Sequence, residues 1–330
     1  MDRSTDYFER AKERDRDIVC SHSLGETIDR LRELNLLQSR TPTCNSDQCE
    51  GQNIRMRVQI DQSRLDGQNF RCSSCNSKRA MRFRSIFQDT RVPIGCLYRL
   101  FLAFIQEMTN EEGMEYADCS IKTLRSVFRY LRRSIATAVD QERQGMQLTE
   151  VNGVLRGGIE MDESLFTHIV ELGDDRVSQQ VWVFGMIERN TNRFICYVLG
   201  NTASKTTQNI RPLIARHVQT NQNNPTQIYT DGAMIYSYLQ NEHYAHTVVV
   251  HQNGFGEGDN TTNHTEALWA RLKGAGRFKK SKNFKTLTAV QDEIDLITWM
   301  VQTPKATRLT VLSQICARNY QQSQLKIIDQ

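Results

Sequence analysis

Three acidic residues occupy positions from which a pair of divalent metal ions can be held. Asp162 lies in the predicted strand GGIEMDESLF, Asp231 follows the predicted strand TQIYT, and Glu266 lies near the start of a predicted helix. Hard divalent ions prefer carboxylate oxygens, and two ions about 3.5 to 4 Å apart can activate an attacking oxygen and stabilise a leaving one. We therefore predict that these acids hold two Mg²⁺ or Mn²⁺ ions for phosphodiester chemistry.

Asp162 shares one face of its predicted strand with Glu160 and Ser164, because alternate residues of a strand point the same way. The opposite face is apolar and consists of Ile159, Met161 and Leu165. This alternation predicts that the aspartate lies on the surface of a sheet, near its centre. The alternative is an exposed acidic face on an edge strand.

The other two acids also have structural alternatives. Asp231 and Gly232 form a common turn sequence. Asn263 and Glu266 have the spacing of a capping box, in which an N-cap side chain and a glutamate three residues later satisfy backbone N–H groups at a helix start. Each acid alone is a weak signal, and their joint placement on a first strand, after a fourth strand and on the following helix favours metal binding.

Four of the nine cysteines are arranged in two short pairs, Cys44 with Cys49 and Cys72 with Cys75, separated by 22 residues. Thiolates on two turns joined by a hairpin suit the tetrahedral coordination of one structural Zn²⁺, and a chain that begins with a charged segment rather than a signal peptide is not expected to form disulfides. Ordinary thiols are the alternative. They are the expected state of the other five cysteines.

Basic residues concentrate in two segments, although the formal net charge is only +4. Residues 71–135 contain twelve Lys and Arg against six acids, and residues 268–285 contain seven Lys and Arg and no acid. A basic surface of this kind has two interpretations: it binds DNA phosphates, or it is simply exposed to solvent. The predicted DNA-binding residues are Lys78, Arg79, Arg82, Arg84, Lys273, Arg277, Lys279, Lys280 and Lys282. No apolar run approaches the length of about 18 residues that a membrane span needs.

The order of predicted elements indicates the fold. Helical periodicity is present in residues 1–38, before the cysteine-rich segment, and in residues 93–104 and 120–139, after it. Beyond residue 150 the pattern is three strands, helix, strand, a helical MIYSYLQN, strand and a long helix from near Asn263. This order predicts an α/β fold with a ribonuclease-H-like mixed sheet flanked by helices, preceded by a four-Cys zinc ribbon and a helical, helix-turn-helix-like DNA-binding region.

The predicted domains follow from these composition changes. They are an N-terminal helical segment (1–38), a zinc ribbon (39–88), a helical DNA-binding region (89–150), a catalytic domain (151–302) and a C-terminal tail (303–330).

From about Cys44 to Trp299 the chain resembles the Merlin superfamily of DNA transposons and related bacterial insertion-sequence transposases with a DDE triad. The resemblance lies in the ribbon and in the motifs IEMDES, VWVFGMIER, YTDG and NHTEALWARLK. The last of these, similar to an Asn-containing ExxWxxxK helix, is the most specific. Thr261-Thr262-Asn263 departs from the His-Thr-Asn frequent in that family.

The resemblance implies a DNA transposase that cuts transposon ends and joins the freed 3′ hydroxyl to target DNA. Asp162, Asp231 and Glu266 would be the metal ligands, with Asn263 a rival for the third place. Terminal inverted repeats and target DNA would be the partners, and synapsis of two ends would require a homodimer or larger assembly. The nucleus is the expected location in a eukaryote, and otherwise the cytoplasm.

Other functions are compatible with parts of this sequence. A domesticated DNA-binding protein could keep the ribbon and lose catalysis, but all three acids are present. A zinc-dependent transcription factor would leave about half of the chain without a role. A nuclease or junction resolvase would use the same metals without strand transfer.

Overall fold

The structure is a computed structural model that describes residues 23–38, 41–49, 53–148, 157–171, 177–191, 193–220, 222–249, 262–276, 278, 283–323 and 327. It divides into two compact units. Unit 1 contains Met1–Ile135 and Met300–Gln330, and unit 2 contains Ala136–Trp299. The sequence-based boundaries differ, because the C-terminal residues group with the N-terminal half rather than forming a separate tail.

Unit 1 combines a small antiparallel sheet with helices. The strands are β1 (Arg57–Ile60), β2 (Gln68–Arg71) and β3 (Lys78–Ala80), in the order β1-β2-β3. The helices are α1 (Leu24–Glu33), α2 (Ile94–Ile105), α3 (Asn110–Ala117) and α4 (Ile121–Gly145), which continues into unit 2. The two apolar helical segments predicted after the ribbon are thereby confirmed. Of the helix predicted within 1–38, residues 1–22 lie outside the described residues.

Unit 2 is built on a mixed sheet of six strands. They are β4 (Ile159–Glu171), β5 (Val177–Glu188), β6 (Phe194–Gly200), β7 (Gln227–Thr230), β8 (Ala245–Val248) and β9 (Asn283–Phe284). The order is β6-β5-β4-β7-β8, with β9 paired to the far part of β4. The first three strands are antiparallel, and β4, β7 and β8 run parallel. Because β4 lies in the centre, the edge-strand alternative for Asp162 is wrong.

Helices follow the strands of unit 2 with two departures from the prediction, one of which is that the long helix expected from near Asn263 ends at Lys273 and is separated by β9 from the helix that begins at Leu287. The helices are α5 (Thr207–His217), α6 (Asn263–Lys273) and α7 (Leu287–Gln302). The segment MIYSYLQN, predicted as helical, instead forms two short 3₁₀ helices, Met234–Tyr236 and Leu239–Glu242. Its buried side chains, Tyr236 and Leu239, are three residues apart, which matches the three residues per turn of a 3₁₀ helix.

The core of unit 2 lies against the apolar face of β4. Ile159 and Met161 pack in one cluster with Phe184 of β5 and with Ile210 and Ile214 of α5. The alternation predicted for the first part of β4 is therefore confirmed. It breaks at a register shift between Leu165 and Thr167, after the segment that bears the acids.

The predicted C-terminal tail contains a further helix, α8 (Arg308–Ser323). Within unit 1, Asn319 Nδ2 donates to the carbonyl of Ser134 at 3.1 Å, and Arg308 Nη1 pairs with Glu107 at 2.8 Å. Leu312 and Cys316 are fully buried. The prediction of a tail for residues 303–330 did not include this helix. Among the described helices, none is long and apolar enough to cross a membrane.

Candidate metal centres and nucleic-acid interface

Asp162 lies on the face of β4 that contacts α6, and both of its carboxylate oxygens accept hydrogen bonds. Oδ1 accepts from the backbone N–H of Glu163 at 2.8 Å, and Oδ2 accepts from Nε1 of Trp269 at 2.7 Å. Burial raises the pKa of Asp162, the Trp269 hydrogen bond opposes this rise, and the nearby charge of Asp231 adds to it. A cation bound next to a carboxylate in such surroundings would stabilise its ionised form.

Asp231 lies near Asp162, at the end of the strand that runs parallel to β4. The paired register ends at Glu160 and Tyr229, and Asp231 directly follows the last residue of β7, close enough for its charge to raise the pKa of Asp162. The turn alternative is also realised, since Oδ1 of Asp231 accepts from the backbone N–H of Ala233 at 3.0 Å. That turn leaves the second carboxylate oxygen of this exposed residue available.

Glu160 anchors the start of α6 to β4. Its buried carboxylate accepts from the backbone N–H groups of His264 and Thr265 at 2.9 and 3.0 Å. It also pairs with the His264 ring at 2.7 Å and with Arg189 at 2.8 Å. The capping-box alternative for Asn263 and Glu266 is wrong, because Thr262 is the N-cap and makes no side-chain capping bond. A carboxylate from the sheet supplies that acceptor instead.

Glu266 and Asn263 are both exposed on the first turn of α6. Among the described residues, the four ribbon cysteines are the only group of three or more His, Cys, Asp or Glu whose ligand atoms lie close enough to share one ion. The three acids therefore do not gather around a single point.

Glu163, which the sequence analysis did not single out, contacts the loop after Asp231. The hydroxyl of buried Tyr236 donates to Glu163 Oε1, and Lys205 Nζ lies 3.4 Å from Oε2. Burial raises the pKa of Glu163, and the Tyr236 and Lys205 contacts oppose this rise. Glu163 thus ties the segment that follows β7 to the strand that bears Asp162. The sequence does contain a signal for Glu163, because it is an acid on the otherwise apolar face of a predicted strand.

Lys273 lies at the end of α6 and points to the same strand. Its Nζ donates to Ser164 Oγ at 2.7 Å and lies 5.4 Å from the centre of the Phe166 ring. The side chain is exposed, so the ammonium can also contact a phosphate near the acids. This placement supports its predicted role over that of a solvated lysine.

The four cysteines of the ribbon converge, with all sulfur atoms within 4.8 Å of one another. The Cys44–Cys75 and Cys49–Cys72 sulfurs are 3.5 and 3.7 Å apart. Four thiolates around a tetrahedral ion about 2.3 Å from each sulfur would be about 3.8 Å apart. The cluster therefore fits one tetrahedral metal ion.

Local hydrogen bonds favour the thiolate form in this cluster. Hydrogen bonds with the hydroxyl and the backbone N–H of Ser77 lower the pKa of Cys75 to about 6. The same hydroxyl is the largest cause of the lowered pKa of Cys44. Asn76, between the second pair and Ser77, adopts a left-handed conformation with φ of 59°, which closes the turn. Metal binding needs thiolates, so the lowered pKa values of these cysteines favour binding of a metal ion.

The predicted DNA-binding residues of the ribbon fall into two groups. Lys78 and Arg84 are exposed, and the guanidinium groups of Arg79 and Arg84 lie 4.5 and 5.2 Å from the centre of the Phe83 ring. Arg82 is different, because it is 3% exposed and makes a bidentate ion pair with Asp66 at 2.5 and 2.6 Å. Its role is structural, and we remove it from the set of DNA contacts.

This division predicts opposite effects for two neighbouring arginines. Arg82→Met should destabilise unit 1 by about 3 to 5 kcal/mol, because Asp66 would be left buried without its partner. Arg84→Gln should change stability by less than about 0.5 kcal/mol and reduce the salt dependence of duplex DNA binding by about one charge. Thermal unfolding and salt-titrated DNA binding of both variants test this. A stable Arg82→Met variant with weakened DNA binding would contradict the division.

The second basic segment is only partly described. Arg277, Lys279, Lys280 and Lys282 lie outside the described residues, and their predicted DNA contacts stay predictions.

The domain defined by β4 to β9 has relatives among known proteins. Residues 154–286 match the family model of the ISXO2-like transposase domain. This match supports a relationship to transposases of the insertion-sequence type, and that family suggests DNA as the partner. Asp162, Asp231 and Glu266 all fall within the matched residues. No curated protein matches the chain.

Proposed function

We propose that this protein is a DNA transposase that cleaves DNA at transposon ends and transfers the 3′ hydroxyl to target DNA. The observation that carries the proposal is the parallel pairing of β4 and β7, with Asp162 in β4 and Asp231 at the end of β7 near enough to affect its pKa, within the segment that matches the transposase domain. The strand order β6-β5-β4-β7-β8 supports a ribonuclease-H-like catalytic core. The closer relationship to Merlin transposons rests on the sequence motifs.

Asp162, Asp231 and Glu266 would hold two Mg²⁺ or Mn²⁺ ions, with Asn263 as the rival third ligand. When bound, such ions supply activation of the attacking oxygen and stabilisation of the leaving oxygen. The oxygen donor set fits hard divalent ions. Glu160 and Glu163 would keep α6 and the loop after Asp231 against β4, and Lys273 would bind a phosphate of the DNA near the acids.

The ribbon would hold one structural Zn²⁺, since soft thiolates select this ion over Mg²⁺. Lys78, Arg79 and Arg84 would bind the DNA backbone, together with the basic residues of 277–282. Two copies of the chain would be needed to bring two terminal repeats together. We place its action in the nucleus of a eukaryotic cell, or in the cytoplasm of a bacterium.

The test is cleavage of duplex DNA that contains the terminal inverted repeats flanking the coding sequence. Purified full-length protein should cut this DNA with Mg²⁺ or Mn²⁺, should not cut it with Ca²⁺ or EDTA, and should join the cut ends to a target plasmid. Cleavage without joining would favour the nuclease or resolvase. DNA binding without cleavage under any of these conditions would favour the domesticated protein and overturn the proposal.

The third ligand can be identified by two single substitutions on α6. Glu266→Gln should reduce cleavage by at least about a hundredfold, because a carboxylate that contacts a metal contributes several kcal/mol. Asn263→Ala should reduce it by less than about tenfold, a loss of up to about 1.4 kcal/mol. Cleavage assays at saturating Mg²⁺ compare the two. A larger effect of Asn263→Ala would assign the third place to the asparagine.

A further inference from the structure

Gly185 of β5 lies directly opposite Asp162 in the antiparallel pair formed by β4 and β5. A Cβ atom at this glycine would lie 2.8 Å from Cζ2 of Trp269 and closer still to Cη2. Contacts below about 3 Å are not tolerated by close-packed atoms. The missing side chain at Gly185 therefore provides the space in which the indole of Trp269 lies against the sheet.

The orientation of this indole is fixed on a second side. Its ring meets Phe166 edge to face, with centroids 5.5 Å apart and an interplanar angle of 84°. Trp269 is 6% exposed, so the N–H group cannot turn to bulk water. The N–H is directed at Oδ2 of Asp162, 2.7 Å away. If this residue served only to fill the core, an aromatic ring would be enough. A purely packing role would not require an N–H group directed at a carboxylate.

We propose that Trp269 is a positioning residue that orients Asp162 for metal binding. This inference rests on the proposed function, because it takes Asp162 to be a metal ligand. The indole N–H and the backbone N–H of Glu163 each engage one oxygen of the carboxylate. Each oxygen retains a second lone pair, so the carboxylate is fixed in one rotation and both oxygens can still face cations.

Partners that orient metal ligands typically contribute about 10- to 100-fold to metal affinity or activity. Trp269→Phe should therefore weaken Mn²⁺ binding to the full-length protein by about tenfold or more, which equals about 1.4 kcal/mol. Phenylalanine keeps a ring over Gly185 and removes only the donor. Calorimetric titration with Mn²⁺, in the absence of DNA, measures this directly.

Trp299 offers a matched control in the same unit. It is 5% exposed, and its indole nitrogen has no hydrogen-bond partner among the described residues. Trp299→Phe makes the same change in volume without removing a hydrogen bond, so Mn²⁺ affinity should stay at the wild-type value. Asp162→Asn should abolish the Mn²⁺ binding that the wild-type protein shows in the same titration.

A spectroscopic measurement on the wild-type protein does not depend on whether Trp269→Phe folds. The three tryptophans give three indole N–H resonances; Trp182→Phe and Trp299→Phe assign two of them, and the third belongs to Trp269. Mg²⁺ should shift the Trp269 resonance and leave that of Trp299 in place, and Asp162→Asn should remove this response.

The outcomes separate the two proposals. Two results would overturn the positioning role and leave the transposase proposal intact. One is wild-type Mn²⁺ affinity in Trp269→Phe. The other is a Trp269 resonance that does not shift with Mg²⁺ although metal binding depends on Asp162. Absence of any Asp162-dependent metal binding in the wild-type protein would overturn both.

Discussion

Asp162→Asn and Asp231→Asn should each reduce metal-dependent DNA cleavage by at least about a thousandfold, a loss of about 4 kcal/mol in transition-state stabilisation. Asp162 lies in β4 and Asp231 directly after the adjacent parallel strand β7, so removal of either charge would weaken the binding of the same ions. Asparagine keeps the shape of the side chain, and its amide oxygen can still accept the hydrogen bond from Trp269.

Both variants should remain folded. The buried carboxylate of Asp162 has a raised pKa because burial disfavours its charge, so the gain from a neutral amide offsets part of the loss of the acceptor for the backbone N–H of Glu163. Thermal unfolding and DNA binding at the wild-type level would serve as the control for cleavage assays with Mg²⁺ and Mn²⁺. Cleavage that persists in both variants would show that other residues perform the chemistry.

Removal of the ribbon metal should unfold the three-stranded sheet of unit 1 before the sheet of unit 2. Residues 41–81 bury few large side chains, chiefly Met56, Phe70 and Met81, so metal binding would supply on the order of 10 kcal/mol of the folding free energy. A chelator, or Cys72→Ser, should therefore release about one Zn²⁺ per chain and abolish DNA binding by the ribbon.

The control for this experiment is Cys119→Ser, which changes a thiol of unit 1 outside the cluster. This variant should retain its metal and its affinity for DNA. Elemental analysis, backbone amide spectra and DNA binding follow the three properties in parallel. A ribbon that stays folded and binds DNA after complete loss of metal would contradict the prediction.

Local patterns were sufficient to predict the central strand and the convergence of the four ribbon cysteines. The alternation around Asp162 placed three polar residues on one face of β4, and the structure directs all three to α6. The spacing of the cysteine pairs likewise predicted their convergence. In both cases the information lies within a few consecutive residues, because strand period and turn geometry are local properties.

Contacts between distant residues could not be predicted in this way. The sequence presents Arg82 as one member of a basic run, whereas its partner Asp66 lies 16 residues earlier and removes it from the surface. Tyr236 and Glu163 are 73 residues apart, and their contact accompanies the 3₁₀ helices that replace the predicted helix. Asn263 has the spacing of a cap, but Glu160, more than 100 residues away, supplies the acceptor.

The contacts between β4 and α6 repeat with a common period. Glu160, Asp162 and Ser164 meet Thr265, Trp269 and Lys273, so two strand residues correspond to four helix residues. Two strand residues span about 6.6 Å and four helical residues about 6.0 Å, and the two repeats are nearly commensurate. A one-residue insertion or deletion between two of these pairs would put the pairs on either side of it out of register with each other. Outside the residues that make these contacts and the proposed metal ligands, this stretch of the gene should accept substitutions more readily than changes in length.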